Sequence, residues 1–180
     1  MNPQEPEIKV LKSKNGTYPS SMQAYIDEVK EDDLKRAFKN QMPAAEIFLQ
    51  SIGEELSERK YAQGKWTIKE VLQHIIDAER IFGYRALAFA RKDPNILPSF
   101  DENDYAINSN ANERSWDELV TEFATVRKAT EYLYNSFSSE AMNAIGKASN
   151  YTIGVSTLGF VIVGHASHHF RIIQERYIGI

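Results

Sequence analysis

Apolar residues recur at intervals of three and four over most of the chain, the spacing that keeps one face of an α-helix buried. A short first helix is predicted from Ser20, where Ser20 and Gln23 have the spacing of a capping box and Tyr25, Ile26 and Val29 follow. A longer one is predicted from about Asp32, with Leu34, Phe38, Met42, Phe48, Leu49 and Ile52 near helical spacing. Pro43 should kink it, because proline lacks a backbone donor and crowds the preceding turn.

The next helix has a sharper start. In "KWTIKEV", Thr67 and Glu70 form a reciprocal capping pair, and Trp66 and Val71 flank them as a hydrophobic staple. Its apolar positions run through Ile68, Leu72, Ile75, Ile76, Phe82, Ala86 and Phe89 until "KDP" closes it at Pro94. A long polar connection, "NILPSFDENDYAINSNANER", follows as either a functional cover or a crossover. Ser115 and Glu118 cap another helix, whose stripe is Trp116, Leu119, Val120, Phe123, Val126, Thr130, Leu133, Tyr134 and Phe137. After the loop "SSEAMNAIGKASNYTIGV" a last helix is expected from about Ser156 to Tyr177. No strand pattern competes with these four long amphipathic segments. The expected fold is all-α, a four-helix bundle over residues 20–178 with a short extra helix at its start. Residues 1–19, with turn chemistry at Asn15-Gly16 and Pro19, are expected to form an extended arm.

Composition narrows what such a bundle does. The 180 residues suit one well-filled core, at 42% hydrophobic and 26% charged. A net charge of −4 argues against nonspecific nucleic-acid binding, which draws its affinity from Lys and Arg displacing counterions. The longest apolar run, around Val161-Ile162-Val163, is too short to span a bilayer, and the first residues lack the apolar block of a signal peptide. A cytoplasmic protein with no membrane or nucleic-acid partner is the expectation. The chain has no cysteine, so thiolate ligands and a cysteine nucleophile are excluded and any thiol chemistry needs a thiol from outside.

Histidine carries the candidate chemistry. Three of the four histidines lie in "GHASHHF", residues 164–170. His165 and His169 fall on the seam made by Leu158, Val161, Ile162 and Ile172, offset by about 40° and 6 Å of rise. Two imidazoles so placed can ligate one ion. His168, three residues after His165, competes with His169 for that role, and spacing does not choose between them. His74 flanks the stripe of the Thr67 helix and could add a third nitrogen from across the bundle, leaving a tetrahedral ion one open position. Taken singly, each of these histidines also reads as a hydrogen-bonded core residue. The zincin peptidase pattern His-Glu-x-x-His fails here, because Ala166 stands where its glutamate belongs.

The stretch "GKWTIKEVLQHIIDAERIFGYRALAFAR", then "LPSFDENDYA" and finally "GHASHHFRIIQERYI", resembles the DinB/YfiT-like family of metalloenzymes. Its two specific elements here are Trp-Thr-x-x-Glu-Val-x-x-His and Gly-His-x-x-His-His. The resemblance implies up-down-down-up helix order, a homodimer, and a divalent metal, often nickel or zinc. Carried onto this chain, the ligands are His74, His165 and His169, with His168 beside the site. It further implies either hydrolysis with a metal-activated water or transfer and isomerisation with a low-molecular-weight thiol cosubstrate such as bacillithiol, mycothiol or glutathione, acting on a small-molecule substrate. A metal-stabilised structural or interaction bundle without catalysis is the reading from another class.

Acid/base candidates are fewer. Asp77, one turn beyond His74, could orient a ring nitrogen or a bound water. Asp101, Asp104 and Tyr105 lie in the long connection, where loops over a bundle end carry site residues. Glu79, Arg80 and Arg85 suit ion pairs along the helix, Trp66 and Trp116 suit packing, and Tyr151 has no role that its position reveals.

Overall fold

A computed structural model of the protein describes residue 12 and residues 16–179. Most of the expected arm therefore lies outside the described residues. Its end, strand β1 (Gly16–Thr17), pairs with the hairpin β2 (Ile145–Ala148) and β3 (Tyr151–Gly154) in the order β1-β3-β2, all antiparallel. This sheet was not expected from the pattern. Its strands are too short and glycine-rich to show alternation, and its turn places Ser149 at a left-handed φ of 51°.

The helices are α1 (Ser20–Glu28), α2 (Leu34–Gln50), α3 (Glu54–Ser57), α4 (Ile68–Ala90), α5 (Glu102–Asn108), α6 (Trp116–Asn135), α7 (Ser139–Met142) and α8 (Val155–Ile172). Both anticipated boxes at α4 and α6 are present, Thr67 with Glu70 and Ser115 with Glu118. Trp66 packs against the cluster that holds Val71. The box at α1 does not form. Pro19 precedes that helix, its carbonyl takes the first amides, and Gln23 spends its side chain on Asp27 at 2.7 Å and Tyr18 at 3.1 Å. Asp33 caps α2 through the Arg36 amide, and the helix continues past Pro43. Helix α5 and a 3-10 turn at Ala111–Glu113 interrupt what reads as a polar loop, and α8 passes into a π-turn at Ile173–Ile178.

Helix directions follow from which side chains meet. Along α2 and α8 the numbers rise together: Leu34 lies against Gly159, Gln41 bonds Ser167, and Phe48 stacks on Phe170. Along α4 and α6 they also rise together, from Gln73 with Arg114 to Glu79 with Arg127. Between α4 and α8 they run oppositely, since His74 meets His169 while Phe82 meets His165. Helices α2 and α6 are opposed as well, with Phe38 on Tyr134 and the Leu49 carbonyl on the Trp116 indole. The order is up-down-down-up. The segment between α4 and α6 is therefore a crossover that returns the chain along the bundle, and Leu97 tethers it to the hairpin at Lys147 and Ser149.

The apolar core is split. One cluster holds Phe38, Phe82, Phe89, Tyr134, Leu158 and Val161; the other holds Leu49, Leu72, Ile76, Leu119, Phe123 and Phe170. On each long helix a polar residue lies near the change-over: Gln41, Glu79, Arg127 and His165. Arg127 and Glu79 form a buried bidentate ion pair at 2.9 Å, closed by Gln41, which donates in turn to the Val163 carbonyl and Ser167 at 2.7 Å each. The guanidinium also lies over Phe38 and Phe123. Glu79 thus pairs across the bundle rather than along α4. Arg80 pairs with Asp77 and with Glu122 of α6, and Arg85 makes no ion pair among the described residues.

Candidate metal centre

Helix α8 presents His165 and His169 on the same face, and the antiparallel α4 brings His74 to them. His74 Nε2 and His165 Nε2 are 3.0 Å apart, and His169 Nε2 and His165 Nε2 are 3.1 Å apart. All three ligand nitrogens lie within 4.8 Å of one another, and among the described residues they form the group of side chains placed to share an ion. Nitrogens bound tetrahedrally at about 2.0–2.1 Å from zinc stand roughly 3.3 Å apart, so the spacing fits a first-row divalent ion. The donor chemistry fits as well. His165 Nε2 carries either one hydrogen or one lone pair, and it faces two other ring nitrogens. Hydrogen bonding satisfies that arrangement poorly; a shared cation satisfies all three lone pairs.

Burial sets the protonation state. It pushes the His74 pKa down to about 4, with Glu102 opposing the fall, and the His169 pKa down to about 3, with His74 and His168 adding to it. His165 is held well below the ordinary value by burial first and then by its three neighbours. All three rings are therefore neutral near pH 7, the form that ligates metal.

The surroundings hold these rings in place. Tyr25 of α1 packs edge-on against His165 at 5.1 Å, and Phe82 does so from α4 at 6.0 Å. Gly164 allows that approach, because a Cβ there would sit 1.8 Å from the Tyr25 carbonyl oxygen. Trp66 stacks beside His74 at 5.1 Å, with its own carbonyl fixed by the Tyr177 hydroxyl at 3.0 Å.

His168 goes elsewhere. Its Nδ1 lies 3.2 Å from Glu28 Oε1 of α1, and Arg171 joins the same carboxylate. The Arg171 bond, followed by that of His168, holds the Glu28 carboxyl below its usual range despite partial burial. The ambiguity that spacing leaves between His168 and His169 is thus resolved geometrically, in favour of His169 as the third member of the cluster.

The remaining candidates do not join it. Asp77 accepts from Gln73 at 2.9 Å and faces Arg80, and burial raises its pKa. Asp101 caps α5 by accepting from the Asn103 and Asp104 amides. Asp104 is exposed, with its carbonyl taken by Asn108, and Tyr105 is exposed against Phe100. Two residues that the pattern did not single out bear on the cluster, one by contact and one by charge. Tyr25 touches His165 and His168, and the charge of Glu102, from the first turn of α5, is felt by both His74 and Tyr25. Glu102 sits among the acids of "SFDENDYA", and only the docking of the crossover distinguishes it from them.

Among solved structures, the chain is similar to YfiT from Bacillus subtilis, described as a probable metal-dependent hydrolase with an unusual four-helix bundle topology. The TM-score is 0.66 at 13% identity, covering 91% of this chain and 90% of that one. At that identity the likeness is one of fold. No curated protein sequence matches the chain. Among the described residues no helix is long and apolar enough to cross a membrane. Residues 37–173 match the profile of the DinB superfamily, which takes in three of the four long helices and most of α2, so the chain belongs to the DinB superfamily.

Proposed function

We propose that the protein is a metal-dependent enzyme in which His74, His165 and His169 hold one divalent ion, zinc or nickel, with a coordination position left for a small-molecule substrate. The observation that carries this is the convergence of three neutral ring nitrogens, from helices ninety residues apart in sequence, on one point. A bound ion of this kind acts as a Lewis acid, lowering the pKa of a coordinated water toward about 7 and favouring thiolate over thiol.

The chain's own residues do the rest. Burial keeps the imidazoles unprotonated, Tyr25 and Phe82 wall His165, and Trp66 backs His74. Hydrolysis is the first reading, in keeping with the description of YfiT, and the negative charge of Glu102 acts on His74 from the first turn of α5. Transfer from an external thiol is the second. Ala166, wholly buried, supplies no carboxylate base where a peptidase has one, and a thiolate nucleophile needs none.

Metal analysis of the purified protein and of His74→Ala, His165→Ala and His169→Ala tests the site. One equivalent in the wild type and loss in each variant is expected; near-stoichiometric metal in all three variants would defeat the proposal. Assays of electrophilic substrates with and without added thiol separate the two chemistries.

A further inference from the structure

The guanidinium of Arg85 is buried, with the residue 3% exposed, and among the described residues no carboxylate pairs with it. It donates to two neutral oxygens, the Tyr151 hydroxyl at 2.9 Å and the Pro98 carbonyl at 2.7 Å, and lies beside the rings of Phe82 and Phe100. Those bonds tie the crossover and the hairpin to α4, a task that a neutral donor could perform. The charge is what lacks a partner. Desolvating a cation without a counter-charge costs several kcal/mol, whereas the buried arginine of the bundle centre, Arg127, has its glutamate. The two arginines differ in just this respect.

Position gives the missing charge a meaning. Arg85 follows His74 by eleven residues, which on a helix is three turns with an offset of only about 20°. The rise over those eleven residues is about 16.5 Å, so a ligand that reaches both ends has to be elongated. Phe82 links the two ends, touching His165 on one side and Arg85 on the other. Tyr151 is half-buried, and its hydroxyl accepts from Arg85 while its own hydrogen finds no acceptor among the described residues.

We infer that Arg85 and Tyr151 form a carboxylate-binding subsite, and that the substrate is an elongated monoanion with its reactive group at the histidine cluster and its carboxylate at Arg85. The link to the reactive end rests on the metal-enzyme reading above; the subsite does not. One guanidinium balances one negative charge, and among the described residues no lysine or second arginine joins it, which favours a carboxylate over a phosphate dianion. The planar fork supplies hydrogens still unspent, Tyr151 adds its O–H, and the aromatic walls suit an aliphatic or aromatic spacer.

Sodium hexanoate, with hexanamide as neutral control, tests the subsite by titration into metal-free and zinc-loaded protein. The Arg85 Nε–H resonance, assigned by its loss in Arg85→Gln, is the readout. Hexanoate should move it saturably in both forms and hexanamide should not. Tyr151→Phe, which keeps the ring, should weaken hexanoate about three- to tenfold. A resonance unmoved by hexanoate, or moved equally by hexanamide, overturns the subsite. In the zinc-loaded protein, mercaptoalkanoates of six to eleven carbons test the span. One length should bind at least tenfold tighter than the matching mercaptoalkanamide, and that preference should vanish in Arg85→Gln. Equal affinity of acid and amide at every length overturns the bridging claim. A wild type that holds no zinc defeats the metal reading alone, while the metal-free titration still decides Arg85.

Discussion

Two polar constellations lie near the level where the core divides, and they are built on opposite terms. The Arg127–Glu79–Gln41 network is closed: each charge and amide has a partner, and the chain of bonds passes from α6 to α4, α2 and α8. The His74–His165–His169 cluster is open, for among the described residues its Nε2 atoms face one another. A closed network needs nothing from outside and serves to register the helices. An open one, with His165 buried and His74 and His169 partly so, leaves lone pairs whose desolvation a ligand offsets. The difference separates a structural polar layer from a site.

The closed network is most vulnerable at its ion pair. Arg127→Met should cost about 3–5 kcal/mol in urea denaturation, because it leaves the Glu79 carboxylate buried and uncompensated. Adding Glu79→Leu should return most of that loss; a loss under about 1 kcal/mol from Arg127→Met alone would mean that the layer is hydrated rather than closed.

The histidines should respond to a ligand instead. Zinc at a thousandfold excess over its Kd should stabilise the wild type by about 4 kcal/mol in the same assay and leave His165→Ala unmoved. Equal stabilisation of both proteins would place the ion elsewhere.

Acid should separate the two as well. The folded pKa values of His74 and His169 are depressed, so the unfolded chain binds more protons than the native one once the pH falls below about 6.5. Metal-free protein should therefore lose stability as the pH falls from about 6.5 toward 4, and this part of the slope should shrink in a His74→Gln, His169→Gln variant. An unchanged slope would show that these rings titrate normally.

Smaller effects test the walls. Gly164→Ala should cost about 1–3 kcal/mol by pushing α1 and Tyr25 from α8, and it should weaken zinc binding. His168→Gln should change stability by less than about 1 kcal/mol and keep the full metal content, since its partner Glu28 is at the surface side of α1.

Particular residues show where reading the chain succeeds. The capping boxes at Thr67 and Ser115 are legible because all their atoms lie within four residues. The pairing of His165 with His169 is legible for the same reason. Ser20 shows the limit: the same local signature fails when Pro19 and Tyr18 compete for the helix start. The hairpin at 145–154 stayed hidden because its strands draw stability from β1 and Leu97, distant in sequence. Arg85 suits an ion pair along α4 by its spacing, yet the docked crossover gives it the Pro98 carbonyl instead.

Local sequence is enough for the helical periodicity, the two strong starts, the proximity of His165 to His169 and the exclusion of cysteine ligands. Each is a matter of neighbours along the chain or of composition. Only the packing of distant helices settles that Glu79 pairs with Arg127, that His169 rather than His168 faces His74, and that no carboxylate among the described residues pairs with Arg85. These depend on how helices are reversed and docked. Docking is set by the sum of many weak apolar contacts between distant segments, which no short window of the chain contains.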